Sequence, residues 1–209
     1  MRRWTALIAA AALSCLSKPA LVPQLFTIDA TASERGPTGS ARGASPTPGG
    51  PTVAVRRVSV AAPFDGRELV YRTGAHRLER DPYAILAASP ASLLTDAIRG
   101  HLGRAGYGFE AAEASGAHPE LLMDVYVREL SGDFVHPEEP AGVFAAAFEV
   151  SEPGASSPLL RKEYTRRIVL PHRTADAVVT AWNQGLAEML GELDRDLDAA
   201  LLAAARLHH

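Results

Sequence analysis

The chain holds a single cysteine, Cys15, among its 209 residues, so no disulfide can form within it. That excludes a small disulfide-stapled scaffold and leaves stability to a hydrophobic core, which a chain of this length can build. Lysine is confined to Lys18 and Lys162, and 21 basic against 24 acidic side chains give a net charge of −3. The basic footprint of a nucleic-acid binder is therefore missing. Also missing are the Gly-rich phosphate loop, the dinucleotide fingerprint and the Gly-x-Ser-x-Gly nucleophile elbow. Gly103-Arg104-Ala105-Gly106-Tyr107-Gly108 is glycine-rich but reads as a helix C-terminus. The histidines are scattered, and the adjacent His208-His209 read as a frayed end, so no metal-ligand spacing stands out. Asp194-Arg195-Asp196-Leu197-Asp198 lacks the glycine and closing glutamate of a calcium loop and reads as a solvated helix face. No catalytic residue, metal or cofactor is expected.

What is present begins at the N-terminus. Arg2 and Arg3 precede an uncharged Ala/Leu-rich stretch, Trp4 to Leu13. Ten residues are too few to span a hydrocarbon core, which takes about 20 in a helix, but they suit a secretory signal peptide. Ala12-Leu13-Ser14-Cys15 resembles the bacterial lipobox, with Ala12 standing where that motif usually carries leucine. The resemblance implies cleavage before Cys15 and its acylation (diacylglycerol, palmitate), making it the anchored N-terminus. Leu16, rather than aspartate, follows the cysteine, which favours the outer membrane over the inner one. The bland alternative is an ordinary signal peptide that leaves Cys15 a free thiol on an exported chain, open to oxidation.

Four segments follow: a signal peptide over residues 1–14, a lipidated tether over 15–24, a short strand with a Gly/Ser/Pro-rich linker over 25–51, and a domain over 52–205. The linker, Ala30 to Pro51, has almost no large apolar residue and cannot offset its own ordering entropy. Either the domain starts near Thr52, or Leu25 to Ile28 is already its first strand and the linker is an insertion.

From Val53 to Val60 the sequence alternates with a period of two, and Glu68 to Arg72 continues as a second strand. Pro63-Phe64-Asp65-Gly66 between them is turn chemistry. After Gly74 comes a short segment around His76 to Glu79. Ser89-Pro90 opens a helix that carries Leu94, Ile98 and Leu102 on one face and ends at Gly106. His101 lies on that apolar face and reads as a partly buried, hydrogen-bonded side chain. Phe109 begins a further extended piece. Leu121–Leu130, Gly142–Val150 and Leu159–Leu170 form an antiparallel meander. Arg161-Lys162 and Arg166-Arg167 within it read as a solvated edge strand or a basic patch. Val179, Trp182, Leu186, Leu190, Leu193, Leu197 and Leu201 recur in steps of three and four, the stripe of a long amphipathic helix. The fold class is α/β of the α+β kind: one domain whose mixed, mostly antiparallel sheet packs with two main helices.

Several of these residues together carry a family likeness. They are the lipobox with Cys15-x-Ser17, Phe26-x-Ile28, Val53 to Val60, Leu69-Val70-Tyr71-Arg72, Asp81-Pro82-Tyr83, Ala88-Ser89-Pro90 and the helix bearing Trp182. The chain resembles the ABC-type transport auxiliary lipoproteins, although Tyr83-Ala84-Ile85-Leu86 lacks the tryptophan often found after the tyrosine. The resemblance implies a non-enzymatic, periplasm-facing adaptor that serves a mammalian-cell-entry (MCE) domain protein and an ABC permease and ATPase. Its implied cargo is phospholipid or another hydrophobic compound, and homo-oligomerisation is a further expectation. Tyr71, Arg72 and Tyr83, aromatics set beside charge, are the candidate partner-binding residues, with Tyr83 placed on a loop. A rival reading is a lipid-anchored binding protein that holds a small apolar ligand between sheet and helices. An envelope enzyme with an unrecognised site is a third.

Overall fold

The computed structural model describes residues 22–30, 51–109 and 118–207. Cys15 and its signal segment, most of the Gly/Ser/Pro-rich stretch and His208-His209 lie outside the described residues.

Eight strands form one mixed sheet: β1 (Gln24–Phe26), β2 (Thr52–Val60), β3 (Glu68–Gly74), β4 (Arg77–Leu86), β5 (Gly108–Phe109), β6 (Leu121–Asp133), β7 (Ala141–Ser151) and β8 (Leu160–Val169). Two helices complete the fold, α1 (Pro90–Ala105) and α2 (Ala175–Leu207). The two longest ladders, β6–β7 and β7–β8, are antiparallel, as is the shorter β3–β4. Parallel pairings of β2 and β3 with β6 join the two ends of the chain's path. The meander is as expected, and β1 belongs to the sheet, running parallel to β4 with Leu25 opposite Ile85. Ile28 and Ala30 just beyond it are buried in the core.

Two bulges explain how strands with broken alternation keep one buried face. In β2, Val53 and Val55 point inward, but Arg56-Arg57 interrupts the period. The ladder with β6 skips a residue between Val55 and Arg57, so Val58 and Val60 return to the core side opposite Val125 and Val127. Arg56, pushed out, grips the Asp124 carboxylate with both ends of its guanidinium. In β6 a second bulge between Val127 and Glu129 switches the inward set from Val125 and Val127 to Leu130 and Gly132.

The segment after Gly74 is not a short piece but the ten-residue strand β4, which includes Asp81-Pro82-Tyr83. A proline in a strand argues against pairing. Here the ladder with β3 steps from Asp81 opposite Leu69 to Ile85 opposite Glu68, so Pro82 sits in a bulge where no ladder bond is needed.

Helix α1 starts as its sequence dictates. Ser89 Oγ accepts the Ser92 N–H at 3.2 Å, Pro90 takes the first helical position, and Gly106 closes the helix with φ of 91°. Its Leu94, Ile98 and Leu102 are fully buried against β2. Helix α2, about 50 Å long at 1.5 Å per residue, crosses β7 and β8 with Trp182, Leu186, Leu190, Leu193 and Leu197 buried. Trp182 Nε1 donates to the Ser131 carbonyl at 3.0 Å, which satisfies the one polar atom of a buried indole. At its closest approach the helix leaves no room for side chains on the sheet. A Cβ at Gly142 would stand 2.6 Å from the Ala181 Cβ of the helix, and one at Gly132 would stand 3.0 Å from Val178 Cγ2 of the helix and 2.8 Å from Tyr71 Cδ1 of β3.

Gly142→Ala is therefore expected to destabilise by about 1–3 kcal/mol through overpacking. Gly191→Ala, on α2 with open space around it, is expected to stabilise by roughly 0.5–1 kcal/mol. Thermal unfolding of the two variants should show melting temperatures displaced in opposite directions.

Candidate functional site

Tyr71, Arg72 and Tyr83 fall at one corner of the sheet, where β3 and β4 meet the end of β6. Tyr71 is half-buried. Its ring stacks on Phe134 with centroids 4.9 Å apart, and Arg173 lies over the other ring of the pair at 4.7 Å from the Phe134 centroid. Its hydroxyl donates to Asp81 Oδ2 at 3.1 Å, while Asp81 Oδ1 accepts the Tyr83 N–H at 2.8 Å. One carboxylate thus ties together the two tyrosines singled out from the sequence. Arg72 points to the other side of the strand, where Nη2 donates to Glu129 Oε1 at 2.8 Å. Ser131 Oγ donates to the same oxygen. Tyr83 is on strand β4, not on a loop, and its side chain is the exposed member of the three.

The aspartates of α2 do different work from the solvated face expected of them. Asp194 Oδ2 meets His101 Nε2 of α1 at 2.8 Å. Asp198 accepts the Tyr107 hydroxyl at 3.1 Å, and Asp196 accepts Tyr164 at 2.7 Å with Lys162 Nζ at 3.3 Å. Asp194 and Asp198 are one helical turn apart and both reach the end of α1, whereas Asp196 turns toward β8. This set of cross-links was the part of the site that sequence reading missed. The available signal was three aspartates alternating along a helix whose apolar stripe continues through them. His101 itself is partly buried and hydrogen-bonded, as expected.

The basic cluster on β8 is neutralised piece by piece. Arg166 meets Glu188 at 3.1 Å and Glu192 at 2.7 Å, Arg161 meets Glu149 at 3.3 Å, and Arg167 meets Asp133 at 3.4 Å. It is a charged edge strand, a device that discourages further strand pairing. The sheet face opposite α2 forms a shallow groove lined by Arg57, Ser59, Asp124, Tyr126, Arg128 and Glu163. Among the described residues, no three His, Cys, Asp or Glu side chains gather as a metal site, and no helix is long and apolar enough to cross a membrane.

Burial is the main reason that the phenols of Tyr71, Tyr107 and Tyr164 are held well above the usual tyrosine range, each reinforced by its aspartate. The Tyr164 hydrogen bond, with Lys162 behind it, in turn draws Asp196 below the usual carboxylate range. The raised phenols favour the folded state fully below the unfolded tyrosine pKa of about 10, and that contribution is lost as pH rises through the folded values. Stability to denaturant should therefore hold level to about pH 10 and fall above it. The triple variant Tyr71→Phe, Tyr107→Phe, Tyr164→Phe should fall less steeply over the same range.

Two crystal structures share this fold. A Xanthomonas campestris protein matches at 16% identity and a TM-score of 0.66, over 89% of this chain and 98% of its own. An uncharacterized protein matches at 14% identity and a TM-score of 0.64, over 84% of this chain and 99% of its own. At these identities the likeness speaks for the fold alone. No curated protein matches the sequence. The family model described as "ABC-type transport auxiliary lipoprotein component" matches residues 33–193, more than half of the chain, and the chain belongs to that family.

Proposed function

We propose that this protein is anchored through an acylated Cys15 to the inner leaflet of the outer membrane and faces the periplasm. There it serves as an adaptor for an ABC transport system whose shuttle component carries an MCE domain. The system would move phospholipids or other hydrophobic compounds across the envelope. The observation that carries this reading is the family match over residues 33–193. The lipobox-like Ala12-Leu13-Ser14-Cys15 supports the anchor.

The interior speaks against the rival reading of a binding protein for a small apolar ligand. Trp182, Phe144, Phe148, Met123, Met189 and Leu186 are fully buried where sheet meets helix, the place such a ligand would occupy. The depressions beside Arg166 of β8 and Glu192 of α2, and beside Arg57 and Glu163 on the sheet, are open and rimmed by charge. Ligand pockets for apolar molecules are concave and mostly apolar. As for the partner surface, Tyr71 and Arg72 spend their polar groups on Asp81 and Glu129 inside the domain. They hold the corner in shape, and Tyr83 is its most exposed aromatic.

Mass spectrometry of the mature N-terminus is expected to show a peptide that begins at diacylated Cys15. Cys15→Ala should move the protein from the membrane fraction to the soluble one. For the adaptor role, the purified protein should capture an MCE-domain protein encoded beside the same ABC permease and ATPase. If it neither captures such a partner nor self-associates, the adaptor reading fails.

A further inference from the structure

The described part of the chain begins at Val22, and its first residues are apolar yet exposed. Val22 is 81% and Leu25 66% exposed, and Tyr83 on the neighbouring strand is 49% exposed. These are three of the seven large hydrophobic side chains that are exposed among the described residues. Leu25 and Tyr83 are also adjacent: β1 runs parallel to β4 with Gln24 opposite Ala84 and Leu25 opposite Ile85. Side chains alternate across a strand pair, so Leu25, Ile85 and Tyr83 lie on one side, while Ala84 and Leu86 turn into the core. Charge beside the patch is balanced, since Arg80 meets Glu68 at 3.4 Å. Polar residues would serve a solvated edge at no cost, and a short edge strand commonly carries them. The sequence instead places valine, leucine and tyrosine there.

The position of the patch identifies its occupant. Only seven residue steps separate Val22 from Cys15. Even fully extended at about 3.3–3.6 Å per residue they reach about 25 Å, half the length of α2. Given the acylated Cys15 proposed above, on which this inference rests, this corner cannot leave the neighbourhood of the bilayer. Tyrosine is a residue of membrane–water interfaces, its ring among acyl chains and its hydroxyl among headgroups.

We infer that Leu25, Ile85 and Tyr83 form a seat that lays this corner of the domain on the phospholipid surface, with exposed Val22 on the chain that leads into it. The lipid then acts as more than a leash, because anchor and seat together fix which way the domain faces. On this assignment Tyr83 contacts lipid and not a protein partner. The same patch also explains why this edge strand carries no charged side chain: Gln24 and Leu25 are exposed and meet headgroups and acyl chains in place of water, while Phe26 packs against the core.

The full mature lipoprotein provides the test. Once Cys15 is a thioether, a cysteine introduced elsewhere is the chain's one free thiol. Leu25→Cys and Tyr83→Cys, both at exposed positions, are labelled with an environment-sensitive fluorophore. So is Leu202→Cys, an exposed reference site whose neighbour Leu201 lies beside Leu121 at the start of β6. Each is reconstituted into vesicles of phosphatidylethanolamine and phosphatidylglycerol carrying shallow spin-labelled lipids. The labels at 25 and 83 are expected to be quenched at least twofold more than the label at 202, with blue-shifted emission. Equal quenching at all three sites overturns the seat while leaving the anchor intact, as does protection of 25 and 83 only when a protein partner is added. A chain that does not float with the vesicles and shows a second reactive thiol overturns the anchor, and the seat with it.

Discussion

Everything in this domain depends on how closely α2 can lie against the sheet. Gly142 and Gly132 supply the space: without a Cβ they admit Ala181 on one strand and Tyr71 beside Val178 on the next. That approach brings the Trp182 indole within hydrogen-bonding distance of the Ser131 carbonyl and closes the core over Phe144 and Phe148. It also sets the rotation of the helix about its own axis. With the apolar stripe fixed by the two glycines, Asp194 and Asp198 have to face α1, and Asp196 has to face β8. Their meeting with His101, Tyr107 and Tyr164 is thus a consequence of packing several turns away, and it locks the second helix to the first.

The elements whose own residues carry the signal were legible in the sequence. Ser89-Pro90 and Gly106 bracket α1, the leucine stripe names α2, and β-branched alternation marks β2 and β6. Phe26 and Ile28 were enough to raise the possibility of a first strand. Strand β4 was not legible, because Pro82 is ordinarily a breaker and only the bulge against β3 makes it tolerable. Bulges have no residue signature of their own. In β2 the tandem Arg56-Arg57 is the visible trace of one, but it reads equally well as the end of a strand.

The candidate site was harder to read for a related reason. Whether an aromatic beside a charge faces outward depends on partners distant in sequence. Arg72 is neutralised by Glu129, 57 residues away, and the Phe134 ring that covers Tyr71 comes from just beyond the end of β6. Local sequence therefore located the corner but could not say which of its residues were already spoken for. Family likeness identified the class of protein, whereas the division of labour among Tyr71, Arg72 and Tyr83 needed the three-dimensional register.

The order of strands also dictates a timetable. Strands β6, β7 and β8 follow one another through short turns and can zip up locally, but β2 must find β6 across 68 residues of chain, as in Val53 opposite Leu121. Distant parallel pairing forms slowly, since large loops must close before any ladder bond rewards them. During that interval one edge of β6, with Leu121, Met123, Val125 and Val127 along it, stands without its neighbour. The finished protein guards its β8 edge with arginine and glutamate. The half-made one has only Asp124, Arg128, Glu129 and Asp133 along β6, so folding is a race between closing that gap and sticking to whatever else is unfolded nearby.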